Sequence, residues 1–284
     1  MILAAIGLAL AAAVVHGTWN VLAKVSGDPL TTFQRGTVFA ALISTVPIGI
    51  AWLATGRPGI SLPAVGFAAV SAALELAYLW LLSAAYGRGD LSVVYPIARG
   101  SAPLLAVVIG IVIIGERLSA LQFVGVVILL GGILAVTIPQ TNGRATLPAL
   151  LTGVAIASYT AVDRVGVRLT HPWLYAWVLV IFLAIAVTVT LPLAGRLHVR
   201  PAGAAERAPS LPQAALIGVF MWGGYSLVLL ALAIAPLAVV APVREIAIVA
   251  VAVWGVWKLQ ERHAAALKIA GAGATLVGVS LLAL

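Results

Sequence analysis

Arg99 stands in the stretch "VYPIARG", with Tyr95 four residues before it and Ser92 three residues before that. Such spacings put all three on one helical face. A second arginine, Arg244, opens "REIAIV" beside Glu245 in an equally apolar setting. Ser71, Glu75 and Tyr78 share another face, as do Trp222, Tyr225 and Ser226, and so do His16, Trp19 and Asn20 in "VVHGTWNVLAK". A guanidinium is a planar fork of donors that suits carboxylate or phosphate. The chemistry these residues suit is therefore capture of a small anionic or zwitterionic solute. Its binding set would be Arg99, Arg244, Tyr95, His16, Trp19, Asn20, Glu75, Tyr78, Trp222 and Tyr225. Glu75 or Glu245 could carry a coupling proton, because a carboxyl taken out of water favours its neutral form. The competing reading makes Glu75 the ion-pair partner of Arg99 and Glu245 that of a neighbour, with His16 and Asn20 serving only to hydrogen-bond helix to helix.

All these residues lie in a chain of 284 residues that is 63% hydrophobic and 8% charged, with mean hydropathy +1.17. Soluble domains carry about 25% charged residues, so the chain is an integral membrane protein. Ten runs reach the roughly 20 apolar residues that span a bilayer: 2–23, 34–54, 63–86, 91–114, 119–138, 147–168, 173–195, 212–234, 237–257 and 265–283. They are helices, because each must satisfy its own backbone in lipid, and they lack the alternation of a barrel. The first is read as a retained span, since it has no basic segment before it. An ionisable group at mid-bilayer costs about 2.5–3.5 kcal/mol, and Arg99 lies about 13 Å into its span at 1.5 Å per residue. Such a group must face a cavity or a partner.

The net charge of +8 sits mostly in short loops, which orients membrane segments and does not call for nucleic acid. Loops after odd-numbered spans hold ten Lys/Arg and the others four, a bias that would put both termini outside. The chain has no cysteine, hence no disulfide or thiolate site. His171, His198 and His263 fall in separate loops, so no zinc site is expected and no cofactor either. No phosphate-binding GxxxxGK[ST], HExxH or GxSxG occurs, so an enzyme is not expected.

The organisation follows from a repeat. "RGSAPLLAVVIGIVIIGER" (99–117) aligns without gaps on "REIAIVAVAVWGVWKLQER" (244–262), pairing Arg99 with Arg244, Gly110 with Gly255, and Glu116-Arg117 with Glu261-Arg262. The unit is five helices, and an odd number inverts the second unit in the membrane. The predicted fold is all-α: ten transmembrane helices as two inverted five-helix repeats, 1–140 and 141–284, around a central cavity at the repeat interface. The same alignment logic sets Tyr159 and Thr160 against Trp19 and Asn20. Pro96 and Pro103 are expected to interrupt the fourth span. Asp163 and Arg164 read as a pair snorkelling at a span end. Glu116 and Glu261 read as pinning helix ends or loops. Trp52, Tyr86, Trp173, Tyr175, Trp254 and Trp257 read as interfacial belt residues. Gly125, Gly131, Gly132, Gly271, Gly273 and Gly278 read as close helix contacts.

"HGTWNVLAK", "VYPIARG" with "GERL", and "VREIAIV" with "QERH" resemble the EamA-type members of the drug/metabolite transporter superfamily. The resemblance spans both units. It implies a ten-helix basket moving small metabolites or drugs, often outward, with His16, Trp19, Asn20, Tyr95, Arg99 and Arg244 at its cavity. "QERH" lacks the glycine that precedes "ER" in the first unit, which implies a different second turn. The resemblance also implies cytoplasmic termini, opposite to the charge bias. The expected function is a secondary transporter in a bacterial-type inner (plasma) membrane, binding a small-molecule substrate and a coupling proton. A flippase-like carrier of amphipathic molecules and a non-transporting membrane scaffold are the alternatives.

Overall fold

Apolar runs that must satisfy every backbone group in lipid have little choice but to coil. The computed structural model describes residues 1–24, 26, 28–86, 91–137, 146–196, 209–246 and 265–283, and within them it contains helices and no strand. In chain order these are α1 (Ile2–Lys24), α2 (Pro29–Ala54), α3 (Leu62–Tyr86), α4 (Leu91–Val108), α5 (Ala120–Thr137), α6 (Thr146–Gly166), α7 (Pro172–Arg196), α8 (Leu211–Ile234), α9 (Leu237–Arg244) and α10 (Ala265–Ala283). Six of them (α1, α2, α3, α6, α7 and α8) are long and apolar enough to cross a membrane alone, and the regions of α4, α5 and α10 carry shorter apolar stretches. The protein is a multi-pass integral membrane protein. Leu42, Val46, Val112 and Ile113 are exposed on its outer surface, as lipid contact requires.

Helix ends follow local chemistry. The expected second span begins at 34, but α2 begins at Pro29, because the Asp28 carboxylate accepts the Thr31 N–H at 2.9 Å and proline suits the first turn. At α8, Ser210 and Gln213 form a reciprocal capping box. Pro96 and Pro103 do not break the fourth span: α4 runs through both. The break comes later, in a π-helical turn over Ile109–Ile113, after which Gly115 takes φ +75° and the Glu116 N–H reaches Gly110 O at 2.9 Å. The rest of the expected ninth span, from 247 on, lies outside the described residues, as do Gly255, Glu261 and Arg262.

The helices pack across the two halves of the chain. α3 lies on α6 and α1 on α8; α2 lies on α8 and α3 on α7; α4 lies on α6 and α1 on α9. α5 meets α10, α2 meets α7, and α4 meets α9. The α5–α10 contact is close because it is built on glycine. A Cβ on Gly125 would stand 2.9 Å from Gly278 O, and one on Gly278 would stand 2.6 Å from Leu129 N. Gly131 and Gly273, expected to do the same, face open space.

Candidate functional site

Seven helices surround one cavity. His16 and Trp19 enter from α1, Thr37 from α2, Glu75 and Tyr78 from α3, Arg99 from α4, and Tyr159 from α6. α7 supplies Leu179 and Leu183, and α8 supplies Met221, Trp222, Tyr225 and Ser226. The space unfilled by protein atoms is about 680 Å³, its open mouth included, within the range of small-molecule sites. Glycines let the walls close. Without a side chain at Gly224, His16 packs on α8, since a Cβ there would sit 3.0 Å from His16 Nδ1. Gly218 likewise admits α2, its would-be Cβ 2.6 Å from Gly36 O.

Aromatic rings line the space in a chain of edge-to-face contacts that continues past the lining residues to Phe33. Centroid separations are 5.9 Å for Trp19 with Phe33 and 6.0 Å for His16 with Trp19. They are 6.4 Å for His16 with Tyr225, 5.9 Å for Tyr225 with Tyr159, and 6.0 Å for Tyr159 with Tyr78. Edge-to-face is the geometry the ring quadrupoles favour. Within this wall Trp19 Nε1, Glu75 Oε1, Tyr78 OH, Trp222 Nε1 and Ser226 Oγ are buried with no hydrogen-bond partner among the described residues. A buried polar atom without a partner costs about 1–3 kcal/mol. Five of them converging on one space point to a polar occupant.

The charges are arranged differently from the expected pair of free arginines. Glu245 lies between them: its Oε1 accepts Arg99 Nη1 at 3.2 Å, Arg244 Nε at 3.0 Å and Arg244 Nη2 at 3.0 Å. All three residues are buried. Arg99 is among the residues that line the cavity, whereas Arg244 is not. Among the described ion pairs, Arg99 meets Glu245 and not Glu75. Arg244 retains one nitrogen, Nη1, with no hydrogen-bond partner among the described residues. The side chains of Tyr95 and Asn20 lie outside the described residues.

Asp163 and Arg164 do not snorkel. Asp163 is fully buried, accepting the hydroxyls of Tyr175 at 2.8 Å and of Tyr225. That bond also removes Tyr175 from the interfacial belt. Arg164 turns the other way, donating Nε to Glu116 Oε1 at 2.8 Å and Nη1 to Leu232 O. Both side chains stay inside because partners await them there. Glu116 pins a helix end as expected, and the end belongs to α9: Leu237 N–H donates to Oε1 at 2.7 Å and Ala238 N–H to Oε2 at 3.0 Å. A carboxylate suits the positive end of a helix. Gly110 makes room for it, since a Cβ there would stand 2.7 Å from Glu116 Oε2.

Sequence reasoning thus places His16, Trp19, Glu75, Tyr78, Arg99, Trp222 and Tyr225 at one cavity. It missed Thr37 and Met221, which look like ordinary span residues. It missed Tyr159 as a lining residue, although the repeat alignment with Trp19 carried that signal. It missed Asp163, whose tyrosine partners are distant in sequence.

Residues 3–138, nearly half of the chain, match the family model described as the EamA-like transporter family. No curated protein matches the chain. A solved structure described only as "Crystal structure of protein" superposes with a TM-score of 0.65 at 15% identity, covering 99% of this chain and 98% of that one. At that identity the likeness shows the fold alone.

Proposed function

Because the chain belongs, through residues 3–138, to the EamA-like transporter family of the drug/metabolite transporter superfamily, we propose that it is a secondary transporter. It carries a small metabolite across a bacterial-type inner membrane by alternating access, with efflux the favoured direction. The observation that carries this reading is a cavity walled by seven helices, three of which bring to it five polar atoms that have no hydrogen-bond partner among the described residues. Residues 1–140 and 141–284 act as two inverted five-helix units that rock about this site. The packing supports that division. Exchanging each helix for the one five places along turns the α3–α6 contact into α1–α8, α2–α8 into α3–α7, and α4–α6 into α1–α9. It leaves the α2–α7, α4–α9 and α5–α10 contacts unchanged.

Arg99, His16, Trp19, Glu75, Tyr78, Trp222 and Tyr225 contact the solute, and Arg244 acts through Glu245 by holding the ion-pair centre in place. Of the anionic and zwitterionic classes the zwitterionic fits better. The charge of Arg99 is already shared with Glu245, while Glu75 faces the cavity as an acceptor. A proton taken up by Glu75 supplies the coupling. The test is solute flux in liposomes containing the purified protein, across amino acids, organic acids and amines, with an imposed proton gradient. Gradient-driven accumulation of one class, lost in Glu75→Gln and Arg99→Ala, is expected. Absence of flux for every class would overturn the reading.

A further inference from the structure

We infer that Glu116 and Arg164 form the gate that closes the cavity at one end of the bundle, and that α9 is the lever joining this gate to the cavity wall. The inference rests on the proposed alternating access and names the residues that govern it. Chain direction reverses from each span to the next, so the turns α2–α3, α4–α5, α6–α7 and α8–α9 share one end. Glu116 stands in the α4–α5 turn, and there it draws three helices of the other half together. Its carboxylate accepts Arg164 Nε of α6 at 2.8 Å and the Leu237 and Ala238 N–H groups of α9 at 2.7 and 3.0 Å. Arg164 also donates to Leu232 O of α8. The two side chains are only 5% and 9% exposed, so little water competes for these bonds.

Beneath the gate lies an apolar seal, and every helix orders seal and cavity the same way. From the gate inward, α3 presents Ala64 and Ala68 before Glu75 and Tyr78, and α4 presents Ala106 before Arg99. α6 presents Ala161 before Tyr159, and α8 presents Leu232 before Tyr225. The five seal residues belong to one buried cluster drawn from both halves. Parting the halves at this end opens the seal, and it must break the bonds of Glu116, which cross from one half to the other.

The chain before Glu116 has a place to bend. The π-helical turn Ile109–Ile113 follows α4 directly, and Gly115 takes φ +75°. Such turns recur at functional sites, and glycine adopts that backbone without strain. α9 links the gate to the solute. Its eight residues are all buried and span about 12 Å at 1.5 Å per residue. The gate holds its first two residues, and its last, Arg244, holds Glu245. Glu245 in turn holds Arg99, which lines the cavity. A short rigid helix with an ion-pair centre at each end passes a shift from one to the other. A solute that draws Arg99 off Glu245 moves the far end of α9 and loosens its grip on Glu116.

The chain has no cysteine, so a single introduced thiol reports which end of the cavity is open. Ala176→Cys places it at a buried, cavity-lining position in the second turn of α7, near the gate. A membrane-impermeant thiol reagent is applied to intact cells and to inverted membrane vesicles, which present opposite ends, and the labelled protein is then purified. Gly59→Cys, exposed in the α2–α3 turn, tells which preparation presents the gate end. With the gate intact, Ala176→Cys reacts about tenfold or more slowly from the gate end than from the other. Adding Arg164→Met or Glu116→Gln raises the gate-end rate about tenfold and lowers the opposite one, as a shift between two states requires. Arg164→Lys, which keeps the charge, stays closer to the native pattern. Should the gate variants fail to fold, the native gate still decides: equal reaction from both ends, or faster reaction from the gate end, overturns the inference. So does a gate-end rate unmoved by Arg164→Met, or a rise from both ends alike, which is what mere loosening of the fold produces. Gate-dependent labelling without flux of any solute in liposomes keeps the gate and overturns the transport reading. Flux with labelling indifferent to the gate does the reverse.

Discussion

Replacing Glu245 by glutamine removes the one negative charge that two guanidinium groups share. In the native protein the carboxylate oxygen accepts three charged donors, at 3.2, 3.0 and 3.0 Å, from side chains that are all but closed to solvent. With charge centres about 4 Å apart and an effective dielectric near 20, each arginine gains about 4 kcal/mol of gross attraction. Much of that offsets desolvation, and breaking a buried pair by removing one partner destabilises by about 3–5 kcal/mol. At about 2–4 °C per kcal/mol, the melting temperature should fall by roughly 6–20 °C. Tryptophan fluorescence of the detergent-solubilised protein reads this directly. Glu245→Gln combined with Arg244→Met should recover part of the loss, because the second change removes one of the two unpaired charges. A Glu245→Gln melt within about 2 °C of the native value, or a double variant less stable than the single one, would refute the shared-charge account.

Glu116→Ala should destabilise by a similar amount, about 3–5 kcal/mol, since it strands Arg164 and uncaps α9 together; Arg164→Met should lose less, because Glu116 keeps its two N–H donors, and equal melting temperatures would contradict this. Gly110→Ala should lower stability and solute binding in parallel, as its methyl meets Glu116 and presses on Ala238 N at 3.3 Å, and wild-type behaviour in both assays would show the approach to be slack. Gly278→Val should cost about 1–3 kcal/mol by overpacking α5 against α10, whereas Gly273→Val, facing open space, should melt like the native protein.

The spans were legible because hydropathy and bilayer thickness leave few options for runs of this length. α2 starts five residues before the expected span because Asp28 caps the helix and Pro29 opens it, and hydropathy registers neither. The cavity was legible from faces: three- and four-residue spacings of His16 with Trp19, Glu75 with Tyr78, and Trp222 with Tyr225 and Ser226 each point one way off a helix. What spacing does not carry is which charge answers which. The alignment of Arg99 with Arg244 locates two backbones and says nothing of a carboxylate lying between them, though that carboxylate is the very next residue. Asp163 escaped for the same reason. Its partners Tyr175 and Tyr225 stand 12 and 62 residues away, and only packing brings them home.

The clamp of Glu116 on α9 also fixes an order of events during synthesis. Arg164 follows Glu116 by 48 residues and Leu237 by 121. At about 5–20 residues per second, the first partner emerges roughly 2–10 s later and the second roughly 6–24 s later. For that interval the carboxylate needs water or a substitute donor at the rim of a half-built bundle. The first five helices therefore wait for the second half before they can complete their final packing, because they pack chiefly against it. A chain cut between the halves would leave Glu116 in that waiting state until the second half was supplied.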